Sequence, residues 1–155
     1  MRNYNIICLV GLIAFFMSGC NKPNNLCDLS IINETSEDLW IESSIVSSYS
    51  DNTILIPLQV GKDHRTRLAQ SDWTHSNGLL PLSACVYNKD ACVKVFKMDS
   101  AGAKTLVHVW HYTDRNEDGH ELFSESCLEK HIVEYVDGAV SISYIFTILP
   151  EDIVE

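Results

Sequence analysis

After about residue 27 the chain falls into short runs where apolar and polar residues alternate, divided by polar turns. A period of two is the mark of half-buried strands. Asp28 to Ile32 is a short apolar strand, and Asn33 to Glu37 is a polar turn. Leu39 to Val46 follows, with Leu39, Ile41 and Ile45 on one face. Thr53 to Val60 is β-rich, but Pro57 cannot donate to a ladder and marks an edge strand or a bulge. His64 to Leu68, Leu79 to Tyr87, Ala91 to Met98 and Thr105 to Tyr112 are further strand candidates. Asp137-Gly138 is a strong two-residue hairpin signal. Centring the turn there sets Tyr135 against Val140, Val133 against Ile142 and His131 against Tyr144, which makes one face largely apolar on both strands. A helix over Cys127 to Val136, capped by Ser126 and Glu129, competes with that reading. The hairpin is favoured because it accounts for both segments together. Many short strands and little helix predict an all-β, antiparallel β-sandwich of immunoglobulin-like type.

The start of the chain has a different pattern. Arg2 precedes an apolar run, Ile6 to Met17, and Met17-Ser18-Gly19-Cys20 closes it. A spanning helix needs about 20 apolar residues, so this dozen reads as a cleaved signal peptide. Its end resembles a bacterial lipobox, with Met where Leu is usual. That resemblance implies cleavage before Cys20 and lipid on its thiol. Residues 1–19 are then the signal, 20–26 the lipidated cysteine with a polar tether, and 27–155 a single β-sandwich domain. By analogy with known lipoproteins, Asn21 in place of Asp favours the outer membrane over retention at the inner one.

Removing nineteen residues from 155 leaves 136, enough for one domain with a real core. The signal holds one basic residue and no acidic one. The remainder therefore carries 10 basic against 21 acidic residues, a formal charge of −11. Such a domain repels phosphate backbones, and nucleic acid is excluded as an expected partner. Cys27, Cys85, Cys92 and Cys127 remain in the exported part. An even count outside the cytoplasm suggests two disulfides. A local Cys85–Cys92 bridge leaves Cys27–Cys127 for the other; buried thiols are the alternative.

One motif carries specific chemistry. Asp114-Arg115-Asn116-Glu117-Asp118-Gly119, with Glu125, satisfies the calcium-loop pattern. Asp114, Asn116, Asp118 and Glu125 would supply the oxygens that calcium requires. A strand precedes the loop and Glu121 stands where such loops carry an apolar residue, so a metal-free hairpin turn is the main reading. His108 and His111, three apart on a strand, point to opposite faces. Trp40, Trp73 and Trp110 are core residues or the lining of a sugar- or peptide-binding face. No nucleophile, zinc or phosphate-loop motif occurs.

The lipobox-like end, Asp118-Gly119-His120-Glu121-Leu122-Phe123, and Tyr144-Ile145-Phe146-Thr147-Ile148 resemble small Gram-negative lipoproteins of unknown function. The resemblance implies a membrane-anchored, immunoglobulin-like β domain and supplies no catalytic residues. The expected role is a non-enzymatic binding or structural module of the cell envelope. It is held to the membrane through its lipid, with a protein or glycan partner and no required cofactor. A calcium-stabilised surface module and a carboxylate-using envelope hydrolase are the alternatives.

Overall fold

A computed structural model describes residues 25–45, 55–71, 82, 86, 88–115, 119–136 and 139–153. Among the described residues there are eight strands: β1 (Asn25–Asn33), β2 (Leu39–Ser43), β3 (Leu55–Leu58), β4 (Asp63–Ser71), β5 (Cys92–Met98), β6 (Lys104–His111), β7 (Glu129–Glu134) and β8 (Val140–Ile148). Among the same residues three short 3-10 helices accompany them: η1 (Tyr112–Asp114), η2 (Glu125–Cys127) and η3 (Pro150–Ile153). The strands form two four-stranded sheets, in the orders β4-β1-β8-β7 and β3-β2-β5-β6. The architecture is the expected β-sandwich. All pairs are antiparallel except β1–β8, where the first and last strands run parallel at the centre of their sheet.

Alternation sends one side chain in two into the space between the sheets. Cys27, Leu29 and Ile31 enter from β1, and Ile142, Tyr144, Phe146 and Ile148 from β8. Leu39 and Ile41 of β2, Val93 and Val95 of β5, and Trp110 of β6 meet them from the other sheet. Trp110 is fully buried and packs edge-on against Phe146 at 5.0 Å. Trp40 lies opposite Phe96, on the outer face of its sheet. Trp73 lies outside the described residues.

The sheets are clipped together at Asn33, the last residue of β1, which is fully buried. Its Nδ2 donates to the carbonyls of Glu37 (2.8 Å) and Leu58 (2.9 Å), the latter on the opposite sheet. Its Oδ1 accepts from the Thr35 amide (3.0 Å) and hydroxyl (2.7 Å). Both donors and both lone pairs of the carboxamide are thus used. Its backbone N–H donates to Lys62 O and its carbonyl accepts from Gly61 N–H. Gly61 has φ +68°, a conformation glycine takes without steric cost and which tightens the β3–β4 turn.

Several expectations are corrected. The β7–β8 hairpin forms and the helical alternative does not, but the register differs by one residue. Ile132 faces Ile142, Val133 faces Ser141 and His131 faces Ser143. Tyr135 N–H donates to Ala139 O (2.8 Å), so three residues, not two, lie between the closing pair. A one-residue slip exchanges the faces. Lys130, Ile132 and Glu134 therefore share the inner side with Ile142 and Tyr144. Strand β1 begins at Asn25, inside the expected tether. Of the expected strand Leu79 to Tyr87, Leu82 and Val86 are described, and Val86 N–H donates to Leu82 O (3.1 Å), a helical bond.

Asn33→Asp replaces the NH2 group, with its two donors, by one oxygen that faces the carbonyls of Glu37 and Leu58, and adds a buried charge. Losses of this kind cost about 3 kcal/mol or more. The thermal midpoint is expected to fall by roughly 10 °C, measured by circular dichroism; an unchanged midpoint contradicts the role given to this side chain.

Candidate functional site

The calcium-pattern residues are partly placed. Asp114 ends η1, and its Oδ1 accepts the Thr113 hydroxyl (2.8 Å). Glu125 opens η2, and its Oε1 accepts the Leu82 amide (2.9 Å). Asn116 and Asp118 lie outside the described residues. Strand β6 precedes the loop and a three-residue 3-10 helix follows it, so the paired helices of an EF-hand are not formed. Among the described residues, no group of three or more His, Cys, Asp or Glu side chains gathers as a metal site.

The cysteines depart from expectation. Cys92 and Cys127 are free thiols, so neither the Cys85–Cys92 nor the Cys27–Cys127 bridge is formed. The Cys127 thiol points at Gly119 O (3.4 Å), while the Cys92 sulfur lies 3.6 Å from the Ser44 hydroxyl. Cys27 is buried on β1 between the sheets. Cys85 and Cys20 lie outside the described residues.

A buried acid–imidazole pair was not anticipated. Nδ1 of His120 lies 2.9 Å from each carboxylate oxygen of Asp152, which is 8% exposed. Asp152 Oδ2 also accepts the Leu149 amide (2.8 Å), closing the first turn of η3 as a capping carboxylate does. The His120 ring stacks on Phe146 at 4.6 Å, and its carbonyl accepts the Trp110 indole N–H (3.1 Å). An imidazole oriented this way can serve as a base. Its contacts here are those of a brace, tying η3 and the segment around 120 onto β6 and β8. Leu149-Pro150-Glu151-Asp152 carries a legible helix start. The partner 32 residues earlier is set only by the fold.

On the outer face of the first sheet, Asp28 is buried between two arginines. Its Oδ1 takes Arg67 Nε at 2.5 Å, and Arg65 Nε is 3.8 Å from Oδ2. Arg65 Nη2 also donates to the Ser143 hydroxyl (2.8 Å). This row covers the centre of the sheet with paired polar groups.

The β7 edge is different. Every residue of β7 except Lys130 is exposed. Ile132 is 41% exposed, Val133 51% and Tyr135 51%. Among the described residues no strand lies on its far side. The other three edges carry features that blunt pairing. Strand β3 is short and holds Pro57. Strand β4 presents Asp63, His64, Arg65 and Arg67 and has an irregular register at Cys27/Asp28. Strand β6 is bulged against Val95/Phe96 and begins with Lys104. Exposed apolar side chains on an open strand edge mark an interaction surface. Comparison with family models, with curated proteins and with solved structures finds no match for this chain.

Asp152→Ala leaves the Leu149 amide and the His120 ring N–H without their acceptor. We expect a loss of about 1–3 kcal/mol in urea unfolding with an unchanged m value, and a smaller loss in Asp152→Asn. Equal stability of all three proteins contradicts the brace.

Proposed function

We propose that this chain is a lipid-anchored protein of a bacterial cell envelope, attached through Cys20, whose β-sandwich is a non-enzymatic binding or structural module. The observation that carries the reading is the apolar run Ile6 to Met17 closed by Ser18-Gly19-Cys20. The fold adds a constraint. Strand β1 begins at Asn25, five positions after Cys20. Five residues span at most roughly 17 Å, so the sandwich is held close to the bilayer. Its first strand is a central one, and the anchor thereby pulls on the most tightly paired part of the domain. One acyl chain binds a membrane only marginally; the diacylglyceryl group supplies two, and acylation of the amino terminus adds a third. Asn21 directs the protein to the outer membrane in this reading. The open β7 edge supports a role in binding, because among the described residues no strand covers it and Ile132, Val133 and Tyr135 are exposed along it.

The test is expression of the full chain in a Gram-negative host fed an alkyne fatty acid. The expected result is a labelled, shortened chain in the membrane fraction. Cys20→Ser is expected to give an unlabelled, unshortened chain. A shortened chain without lipid, or equal labelling of both proteins, contradicts the proposal.

A further inference from the structure

The β7 edge is self-complementary in one register. The closing bond from Tyr135 N–H to Ala139 O fixes which backbone groups face β8. In an antiparallel ladder these alternate. Val133 and His131 therefore exchange bonds with Ser141 and Ser143, while Lys130, Ile132 and Glu134 turn their N–H and C=O groups outward. The opposite strand agrees: Val140, facing Glu134, sends its N–H away from β7 to Asn25 Oδ1 (2.7 Å). A new antiparallel strand must set its own outward-facing residues against these three.

We infer that β7 pairs with β7 of a second copy of this chain, antiparallel, about a two-fold axis at Ile132. In this register Ile132 lies opposite itself. Lys130 lies opposite Glu134 of the second copy, and Glu134 opposite its Lys130. Each of the three pairs exchanges two backbone hydrogen bonds. Opposed residues share a face, so both Lys–Glu pairs flank the two isoleucines on the side continuous with Ile142 and Tyr144. On the other face Val133 packs beside His131. Two four-stranded sheets become one of eight strands.

Charge selects this register. An inward-facing lysine on an edge normally discourages pairing. Here a glutamate stands four residues away, with the apolar Ile132 midway between them. A shift by two residues sets Lys130 against Ile132, or Ile132 against Glu134, and leaves the charges unmatched. A shift by one puts inward-facing backbone groups against outward-facing ones. Two acidic domains also repel at a distance, so only a register that neutralises charge locally holds them. The paired edge is short, below the roughly 1,000 Å² of a durable interface. The dimer is therefore weak, and confinement to a membrane raises its occupancy. The pairing itself does not depend on lipidation, and Cys20→Ser is expected to retain it.

The test uses the full chain in detergent micelles at about 200 µM, followed by sedimentation velocity and by oxidative crosslinking. Wild type is expected to dimerise. Lys130→Glu and Glu134→Lys each set like charges opposite one another on both sides of the axis. Each is expected to weaken association by at least tenfold. The double variant Lys130→Glu/Glu134→Lys restores opposite charges and is expected to restore the dimer, which separates register from misfolding. Ile132→Cys is expected to crosslink to itself. Val133→Cys is more exposed, but its counterpart lies more than 7 Å away, beyond disulfide reach, and it is expected not to crosslink. A monomeric wild type, charge reversals without effect, or crosslinking by Val133→Cys in preference to Ile132→Cys would overturn the inference.

Discussion

The structure depends on the buried carboxamide of Asn33. A sandwich is two sheets held by apolar contact, and apolar contact has little direction. Asn33 supplies direction. Its four side-chain hydrogen bonds join the end of β1 to the turn at 35–37 and to Leu58 of the opposite sheet. Its backbone bonds hold the β3–β4 turn through Gly61 and Lys62. The next amide, Glu34, donates to Ile148 at the end of β8. Both sheets and both central strands of the first sheet are therefore registered at one point. A network of this kind gains its value from completeness, because each unmet buried polar group would cost about 1–3 kcal/mol.

With one end of the sandwich fixed, the other strands divide by how they end. The central strands β1 and β8 are covered on both faces, inside by the core and outside by the Asp28, Arg65 and Ser143 row. The His120–Asp152 brace closes the flank where β6 meets the last helix. Strand β7 receives none of this cover. Its residues are exposed apart from half-buried Lys130, whose Nζ lies 5.0 Å from the centroid of the Tyr144 ring. The domain thus has a firmly registered centre and, among the described residues, one strand edge with exposed apolar side chains, which is the division that the proposed anchored binding module requires.

The sheets were legible because alternation is a local signal. Leu39 and Ile41, Val93 and Val95, and the run from Ile142 to Ile148 occupy the faces that their spacing indicates. The β7 register was not legible. Pairing by hydrophobic pattern assumes that both strands bury a face, and β7 buries none. The core fixed β8 alone, and the bond between Tyr135 and Ala139 fixed its partner. Asn33 read as the start of a polar turn; it is the last residue of β1, and the turn follows it. Its bond to Leu58, 25 residues on, is a long-range fact that no spacing carries. The pairing of His120 with Asp152 was hidden for the same reason. Cysteine parity suggested bridges, whereas Cys92 on β5 and Cys127 on η2 are free thiols.

Residue-resolved amide hydrogen exchange tests this account most directly. In the monomer, the amides of Asn33, Glu34, Thr35 and Gly61 should exchange only through global unfolding. Those of Lys130, Ile132 and Glu134 should exchange much faster than the amides of His131 and Val133 between them. If the amides around Asn33 exchange as fast as those outward-facing β7 amides, the sheets are not registered where we place the clip, and the account fails.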